Sequence, residues 1–220
     1  MTRQDLPSEL VERIADVMCP DPVRVAIDGV DAAGQTTLVD ELVAPLTRTG
    51  RFVIRASIDG FHHPAAVRYR RGRLSPEGYF RDSFNHAQLI ETLLAPLGPG
   101  GDRRYRGAIF DVRRDRPVEA PAQKVSPDAV LLFDGVFPLR PELRPYWDFS
   151  IFVRADLEVT VARAEARDQH LFGSHEQVRQ RCAERYVPGQ RLYLAEAQPE
   201  PHASVVVDNS DVAHPTLGSI

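Results

Sequence analysis

Nine consecutive residues, Gly29-Val30-Asp31-Ala32-Ala33-Gly34-Gln35-Thr36-Thr37, keep the spacing G-x-x-x-x-G-K-[ST], except that Gln35 stands at the lysine position. Glycines at this spacing let backbone N–H groups curl around phosphate oxygens, and a following helix N-terminus adds partial positive charge. The Thr36 hydroxyl is placed to ligate Mg²⁺. What is missing is the cation that reaches the terminal phosphates. Asp134 closes the apolar run Ala129-Val130-Leu131-Leu132-Phe133, where a carboxylate can hold Mg²⁺ or its water shell opposite Thr36. An Asp-Gly pair such as Asp134-Gly135 is also a frequent strand-ending turn. Asp59, in Ser57-Ile58-Asp59-Gly60-Phe61-His62, could orient an acceptor hydroxyl and take its proton, or simply form a turn before Gly60. His62 and His63 are adjacent and would point to opposite sides of an extended segment. No third ligand stands at zinc spacing, so His62 is read as a candidate for the acceptor pocket.

Arginines supply the other half of this chemistry. Arg163 and Arg167 lie one turn apart on a helix that Asp156 can cap, and Ser174-His175-Glu176-Gln177 has the form of a capping box opening a second helix. On that helix Val178, Cys182 and Tyr186 should face inward, with Arg181 and Arg185 together on another face. Two such helices around residues 169–174 would form a mobile lid, and lid arginines on a transferring phosphoryl group can contribute ~10³–10⁵ in rate. The same arginines would also suit a plain solvated face.

These groups need a scaffold. Val23-Arg24-Val25-Ala26-Ile27 reads as a short buried strand, and Thr36 to Leu46 as a helix with Leu38, Val39, Leu42, Val43 and Leu46 on one stripe. Further strands are expected at 52–58, 129–133, 149–153 and 204–207, with a helix from about Asn85 to Leu97. A leading helix over 5–18 uses Leu6, Leu10, Ile14, Val17 and Met18 and ends before Pro20 and Pro22. Strands alternating with helices predict an α/β fold with a parallel sheet of about five strands and helices on both faces. Active groups in such sheets gather at the strands' carboxyl ends, where Asp59, Asp134 and Asp208 fall. One domain over 1–220 is expected, with a leading helix over 1–22, an Arg/Gly/Pro/Tyr-rich insertion of hairpins and loops over 60–125, and a lid region over 155–190. The tail from Asn209 reads as loose.

Composition narrows the partners. A net charge of −4 gives no global basic field for nucleic acid, although arginines cluster at 68–73, 103–106 and 113–116. No run approaches the length of a membrane span, the N-terminus has no signal-peptide form, and two cysteines fit a reducing cytoplasm.

Several stretches together resemble the uridine kinase-like branch of the P-loop kinases, which also holds phosphoribulokinase and bacterial pantothenate kinases. They are Ala26-Ile27-Asp28-Gly29 with its loop, Ser57 to His62, Tyr79-Phe80-Arg81-Asp82-Ser83-Phe84, Leu131 to Gly135, Arg163 to Asp168, and Arg185-Tyr186-Val187-Pro188-Gly189-Gln190. They occur in the family's order over residues 23 to 209. The resemblance implies ATP and Mg²⁺, with phosphoryl transfer to a hydroxyl of a small metabolite, typically the 5′-OH of a ribonucleoside. It implies Asp59 as acceptor base, Asp82 as ribose-diol ligand, and Arg167 as the lid arginine on the phosphates. His62, Tyr79, Phe110, Arg113 and Arg185 are the other acceptor-side candidates. Arg163 joins the loop residues 29–37 on the nucleotide, and Thr36 and Asp134 hold the metal. Members of such families often form homodimers. Three departures stand out. Gln35 replaces the lysine. The segment 108–113 keeps Phe110-Asp111 but lacks the Tyr-Asp-Phe and following histidine of uridine kinases. The lid turn at 169–174 has no arginine.

Glutamine can still donate a hydrogen bond but carries no charge. Losing a charge-assisted contact costs about 1.5–3 kcal/mol in binding. Losing a preorganised group aimed at developing charge costs ~10²–10³ in rate. Nucleotide binding should therefore suffer less than catalysis, unless an arginine from 68–73 or 103–106 fills the space. A non-catalytic nucleotide- or metabolite-binding protein on a kinase fold is the competing expectation, as is a kinase of another acceptor such as pantothenate, a sugar or a sugar phosphate.

Overall fold

Strands without a polar face must be covered on both sides, and two such runs in this chain become neighbouring central strands. The computed structural model describes residues 2–218, and residues 169–172 by their backbone alone. Strand β1 (Val23–Gly29) is buried along its whole length. Beside it lie β3 (Val130–Gly135) and β4 (Phe149–Arg154), with β2 (Val53–Ser57) outside β3 and β5 (Val205–Asp208) outside β4. All five run parallel. A sixth strand, β6 (Thr216–Gly218), pairs antiparallel with β5, Leu217 opposite Val207. The tail is therefore not wholly loose. Its three residues are too few for a periodic signal, and what recruits them is the unpaired edge of β5.

Alternation along the strands divides the core. Val23, Val25, Ile27, Val130 and Leu132 face one layer, built on Leu6, Leu10, Ile14, Leu38, Leu42 and Leu46 of helices α1 (Leu6–Ala15) and α2 (Gln35–Arg48). Ala26, Leu131 and Phe133 face the other, an aromatic layer with Phe61, Phe80, Phe84, Phe137 and Tyr193. Helix α1 stops at Ala15, short of the expected Met18, which is 94 % exposed and contributes nothing to the stripe.

The segment between β2 and β3 is more helical than its composition suggests. Helix α3 (Pro76–Asp82) begins at Ser75, whose Oγ accepts from the Gly78 N–H at 3.0 Å, with proline at the first helical position. Helix α4 (His86–Leu89) is capped by Asn85 and continues as a π-turn over Ile90–Leu94. Two short ladders follow, 104–105 with 123–124 and 110–111 with 116–117. Past β4, α5 (Leu157–Phe172) carries Arg163 and Arg167. Ser174 caps α6 (His175–Arg181), accepting from the Gln177 N–H at 3.2 Å. A π-turn over Cys182–Tyr186 then joins α6 to α7 (Val187–Ala197). No described helix is long and apolar enough to cross a membrane.

Candidate active site

The loop joining β1 to α2 leaves the sheet beside the carboxyl end of β3, the natural place for a ligand in an open parallel sheet. Two backbone features shape it. Gly34 adopts φ +108°, and a Cβ there would sit 2.5 Å from the Asn209 amide nitrogen. A Cβ on Gly29 would lie 2.6 Å from the Val153 carbonyl oxygen. Gln35, Thr36 and Thr37 form the first turn of α2, so their N–H groups have no partner within the helix.

Gln35 does not point at solvent. Its Nε2 donates to the Val30 carbonyl at 3.0 Å and lies 3.5 Å from the Gly135 carbonyl, while its Oε1 accepts from the Gly34 N–H at 3.1 Å. The side chain is buried and closes the loop on itself. Both ends of the amide are thus engaged, and one N–H of the cradle is already taken.

The Thr36 hydroxyl donates to Asp134 Oδ2 at 2.5 Å. Asp134 Oδ1 is buried and has no hydrogen-bond partner among the described residues, and burial raises this carboxyl above its usual value despite the Thr36 bond. An orphaned carboxylate oxygen beside a hydroxyl suits a divalent cation. Among the described residues no group of three or more His, Cys, Asp or Glu could hold a metal. A cation at Thr36 and Asp134 would therefore complete its shell from phosphate and water, which is the habit of Mg²⁺.

Asp59 sits in the 3₁₀ turn Ile58–Phe61 directly after β2. Its Oδ1 lies 3.4 Å from His62 Nε2, and His62 Nδ1 is 3.1 Å from the Ser83 carbonyl. The His62 ring stacks on Phe84 with centroids 4.6 Å apart. Surrounding protein works to raise the Asp59 carboxyl, but the His62 bond and the charges of His62, Arg167 and Arg113 outweigh it and hold the group below its ordinary value. The side chain is 74 % exposed, so water moderates each of these influences.

Two cavities meet at the loop. One, of about 570 Å³, is lined by Asp59, His62, Tyr79, Arg113, Asp134 and Tyr186. The other, of about 400 Å³, is lined by Arg3, Gly34, Thr37, Arg163, Asn209 and Val212. Ala32, Gln35, Thr36 and Arg167 line both. Arg167 is held there by Asp31 at 3.1 Å and by both oxygens of Asp168 at 2.7 and 2.8 Å, and the Asp168 bonds raise its affinity for its proton further. Arg163 Nη2 donates to the carbonyls of Asn209 and Ser210 at 2.9 and 3.1 Å, while its Nη1 is buried with no hydrogen-bond partner among the described residues.

Three of the residues expected on the acceptor side do not line the cleft. Asp82 is buried and bound by Arg70 and by Arg71 at 2.8 Å. Phe110 is buried within its hairpin. Arg185 is buried and donates to the carbonyls of Arg73 and Ser75 at 3.1 and 3.2 Å, bracing the insertion against the π-turn between α6 and α7. The arginines at 68–73 and 103–106 do not fill the lysine's place either. Those lining the two cavities at the loop are Arg3, Arg113, Arg163 and Arg167.

Sequence reasoning passed over two groups that hold the loop. Asn209 Nδ2 donates to the Ala33 carbonyl at 2.6 Å, and its Oδ1 accepts from Arg3 at 2.9 Å. Asp28 is fully buried in β1. Its Oδ1 accepts from the Gly29 and Phe137 N–H groups at 2.6 and 3.1 Å, and its Oδ2 from the Leu139 N–H at 2.9 Å and from the Tyr193 hydroxyl. One carboxylate thereby ties the loop's root to the segment after β3 and to α7. The signal was present, since an acid inside an apolar central strand is costly unless its oxygens are satisfied.

Burial pushes the Asp28 carboxyl up to about 7 against these four donors. Because the folded value is raised, the stability linked to this proton is greatest below the ordinary carboxylate range and declines as pH rises through about 7. The Tyr193 hydroxyl bonds the charged form. Tyr193→Phe should cost about 1.5–3 kcal/mol at pH 8 and less at pH 5.5, where the folded protein holds the proton. Urea midpoints at the two pH values measure this, and an equal loss at both would contradict it.

The phosphoribulokinase / uridine kinase family model matches residues 25–202. No curated protein sequence matches the chain. Among solved structures, one described as a possible uridine kinase from Bacillus stearothermophilus superposes with a TM-score of 0.73 at 22% identity, covering 92% of this chain and 97% of its own. A candidate fructose transport system kinase from Silicibacter sp. TM1040 gives 0.72 at 26% identity, over 90% and 96%. D-glycerate 3-kinase from Cryptococcus neoformans var. grubii gives 0.61 at 13% identity, over 99% and 97%. At 22% and 13% identity, likeness speaks for the fold alone, and the named acceptors differ among the three.

Proposed function

The chain belongs to the phosphoribulokinase / uridine kinase family, and from that premise we propose that it transfers the terminal phosphoryl group of ATP to a hydroxyl of a small metabolite. One observation carries this. Asp59, and the Thr36–Asp134 pair with its orphaned oxygen, face a single cleft that joins a second cavity at Gln35, Thr36 and Arg167. An acceptor in one cavity and a nucleotide in the other would meet at that junction.

The residues divide the work. The N–H groups at the start of α2 receive phosphate oxygens. Asp59, ionised at neutral pH, accepts the acceptor's hydroxyl proton at a carboxylate oxygen, and His62 holds that carboxylate in place. Arg167, once released from Asp31, offers its guanidinium to charge developing on the transferred group. Mg²⁺ held by Thr36 and Asp134 would supply further neutralisation of phosphate charge.

The inward fold of Gln35 favours a second reading, a protein that binds nucleotide without turning it over. Micromolar protein incubated with ATP·Mg²⁺ and a panel of nucleosides, pantothenate, sugars and sugar phosphates should release ADP above background with at least one acceptor. Calorimetric titration with ATP·Mg²⁺ separates the alternatives. Tight binding with no ADP release supports the second reading, and no binding of any nucleotide overturns both.

A further inference from the structure

The insertion between β2 and β3 is rich in arginine, and most of that charge is committed. Arg68 pairs with Asp115 at 2.8 Å, and Arg70 and Arg71 hold Asp82. Arg106 donates to the Ala120 carbonyl at 3.0 Å, and Arg114 lies 3.7 Å from Asp111. Arg113 is different. Its guanidinium makes no hydrogen bond or ion pair among the described residues, yet it lines the cleft that holds Asp59. The other arginine on that cleft, Arg167, already faces Asp31 and Asp168.

Arg113 is exposed, but the turn carrying it is not slack. The N–H groups of Arg113 and Arg114 both donate to Asp111 Oδ1, at 3.0 and 3.1 Å. Across the turn, Asp115 Oδ1 accepts from Arg68 at 2.8 Å and from the Ala65 N–H at 2.9 Å. At the hairpin's root the Ile109 N–H donates to the Gly60 carbonyl at 2.8 Å, next to Asp59 itself. The hairpin is therefore fastened to the turn that presents the acceptor base. A guanidinium that makes no hydrogen bond or ion pair among the described residues, on a turn fastened to that frame, is a ready fork for a carboxylate or phosphate. In the same hairpin the aromatic that could have stacked on a base, Phe110, is turned inward and buried.

We propose that Arg113 anchors an anionic group of the acceptor, so that the molecule phosphorylated at Asp59 is a hydroxylated carboxylate or phosphate ester and not a neutral nucleoside or sugar. This rests on the phosphoryl-transfer reading of the same cleft. Its test is built so that the two can fail separately. D-Glycerate, pantothenate, ribulose 5-phosphate, uridine and fructose are titrated calorimetrically without nucleotide, and then assayed for ADP release, using the native protein, Arg113→Gln and Arg113→Lys. At least one anionic compound should bind more tightly than uridine and fructose. Arg113→Gln should weaken that binding ~10–100-fold, with Arg113→Lys partly restoring it and the KM for ATP changing far less. Carboxylate and phosphate arms identify which anion is held. Preference for a neutral acceptor, no binding by any anionic compound, or an Arg113→Gln effect confined to ATP overturns the proposal. Arg113-dependent anion binding without ADP release leaves the anchor standing and counts against phosphoryl transfer.

Discussion

Gln35→Lys is expected to raise kcat ~10²–10³-fold with the best acceptor and to tighten ATP·Mg²⁺ binding by about 1.5–3 kcal/mol. The geometry gives two reasons. A lysine cannot accept the Gly34 N–H that Gln35 Oε1 now occupies, so that donor returns to the phosphate cradle. It also places a full charge where the two cavities join, at a position lining both. The opposing effect is the loss of the bond to the Val30 carbonyl, a neutral contact worth about 1 kcal/mol. Steady-state kinetics beside a thermal melt check the prediction, because the gain should appear without a large change in Tm. No gain in either kcat or nucleotide affinity would mean that another group at the junction fills the lysine's role, or that the site is not a kinase site. Arg167, in salt bridges with Asp31 and Asp168, would in the first case be the residue to truncate next.

Asp59→Asn should lower kcat ~10²–10⁴-fold while the affinity for ATP·Mg²⁺ changes less than about threefold. Asparagine keeps the shape but cannot take a proton, and among the described residues Asp59 has no hydrogen bond to the phosphate loop through which a change could spread. The pH profile adds a second check. The carboxyl is held below its ordinary value, so its ionised form is present at neutral pH and is lost only as pH falls through that depressed value. Within the native protein's stable range, Asp59 should therefore impose no acid limb near neutrality. A kcat unchanged in Asp59→Asn, or nucleotide binding lost along with it, would remove Asp59 from the role of base.

The elements were legible because each rests on local pattern. Apolar runs at 23–27 and 129–133 required burial on both faces, and the stripe over 38–46 required one covered face. Strand β6 and helix α3 escaped for different reasons. The first is too short for a period and exists because β5 offers an edge. The second had a visible Ser75-Pro76 start that lay hidden in a segment read as loops.

Side chains in irregular segments followed another rule. Arg70 and Arg113 look alike in the sequence, yet one is tied to buried Asp82 and the other lines the Asp59 cleft with no hydrogen bond or ion pair among the described residues. A long charged side chain settles on whichever opposite charge the fold brings within reach, and spacing along a loop does not report that distance. The same holds for Asn209, far from Ala33 in the chain but hydrogen-bonded to it, and for Asp82, Phe110 and Arg185, which turn away from the cleft.

Gln35 shows the division most plainly. The sequence by itself determined that a phosphate loop follows a buried strand and lacks its lysine, because glycine spacing, strand and helix are all local. Only the tertiary structure decided that the amide folds inward onto Val30 and Gly34, because a neutral side chain with one donor end and one acceptor end satisfies both backbone groups at once, whereas a charged amine only donates and could not accept the Gly34 N–H.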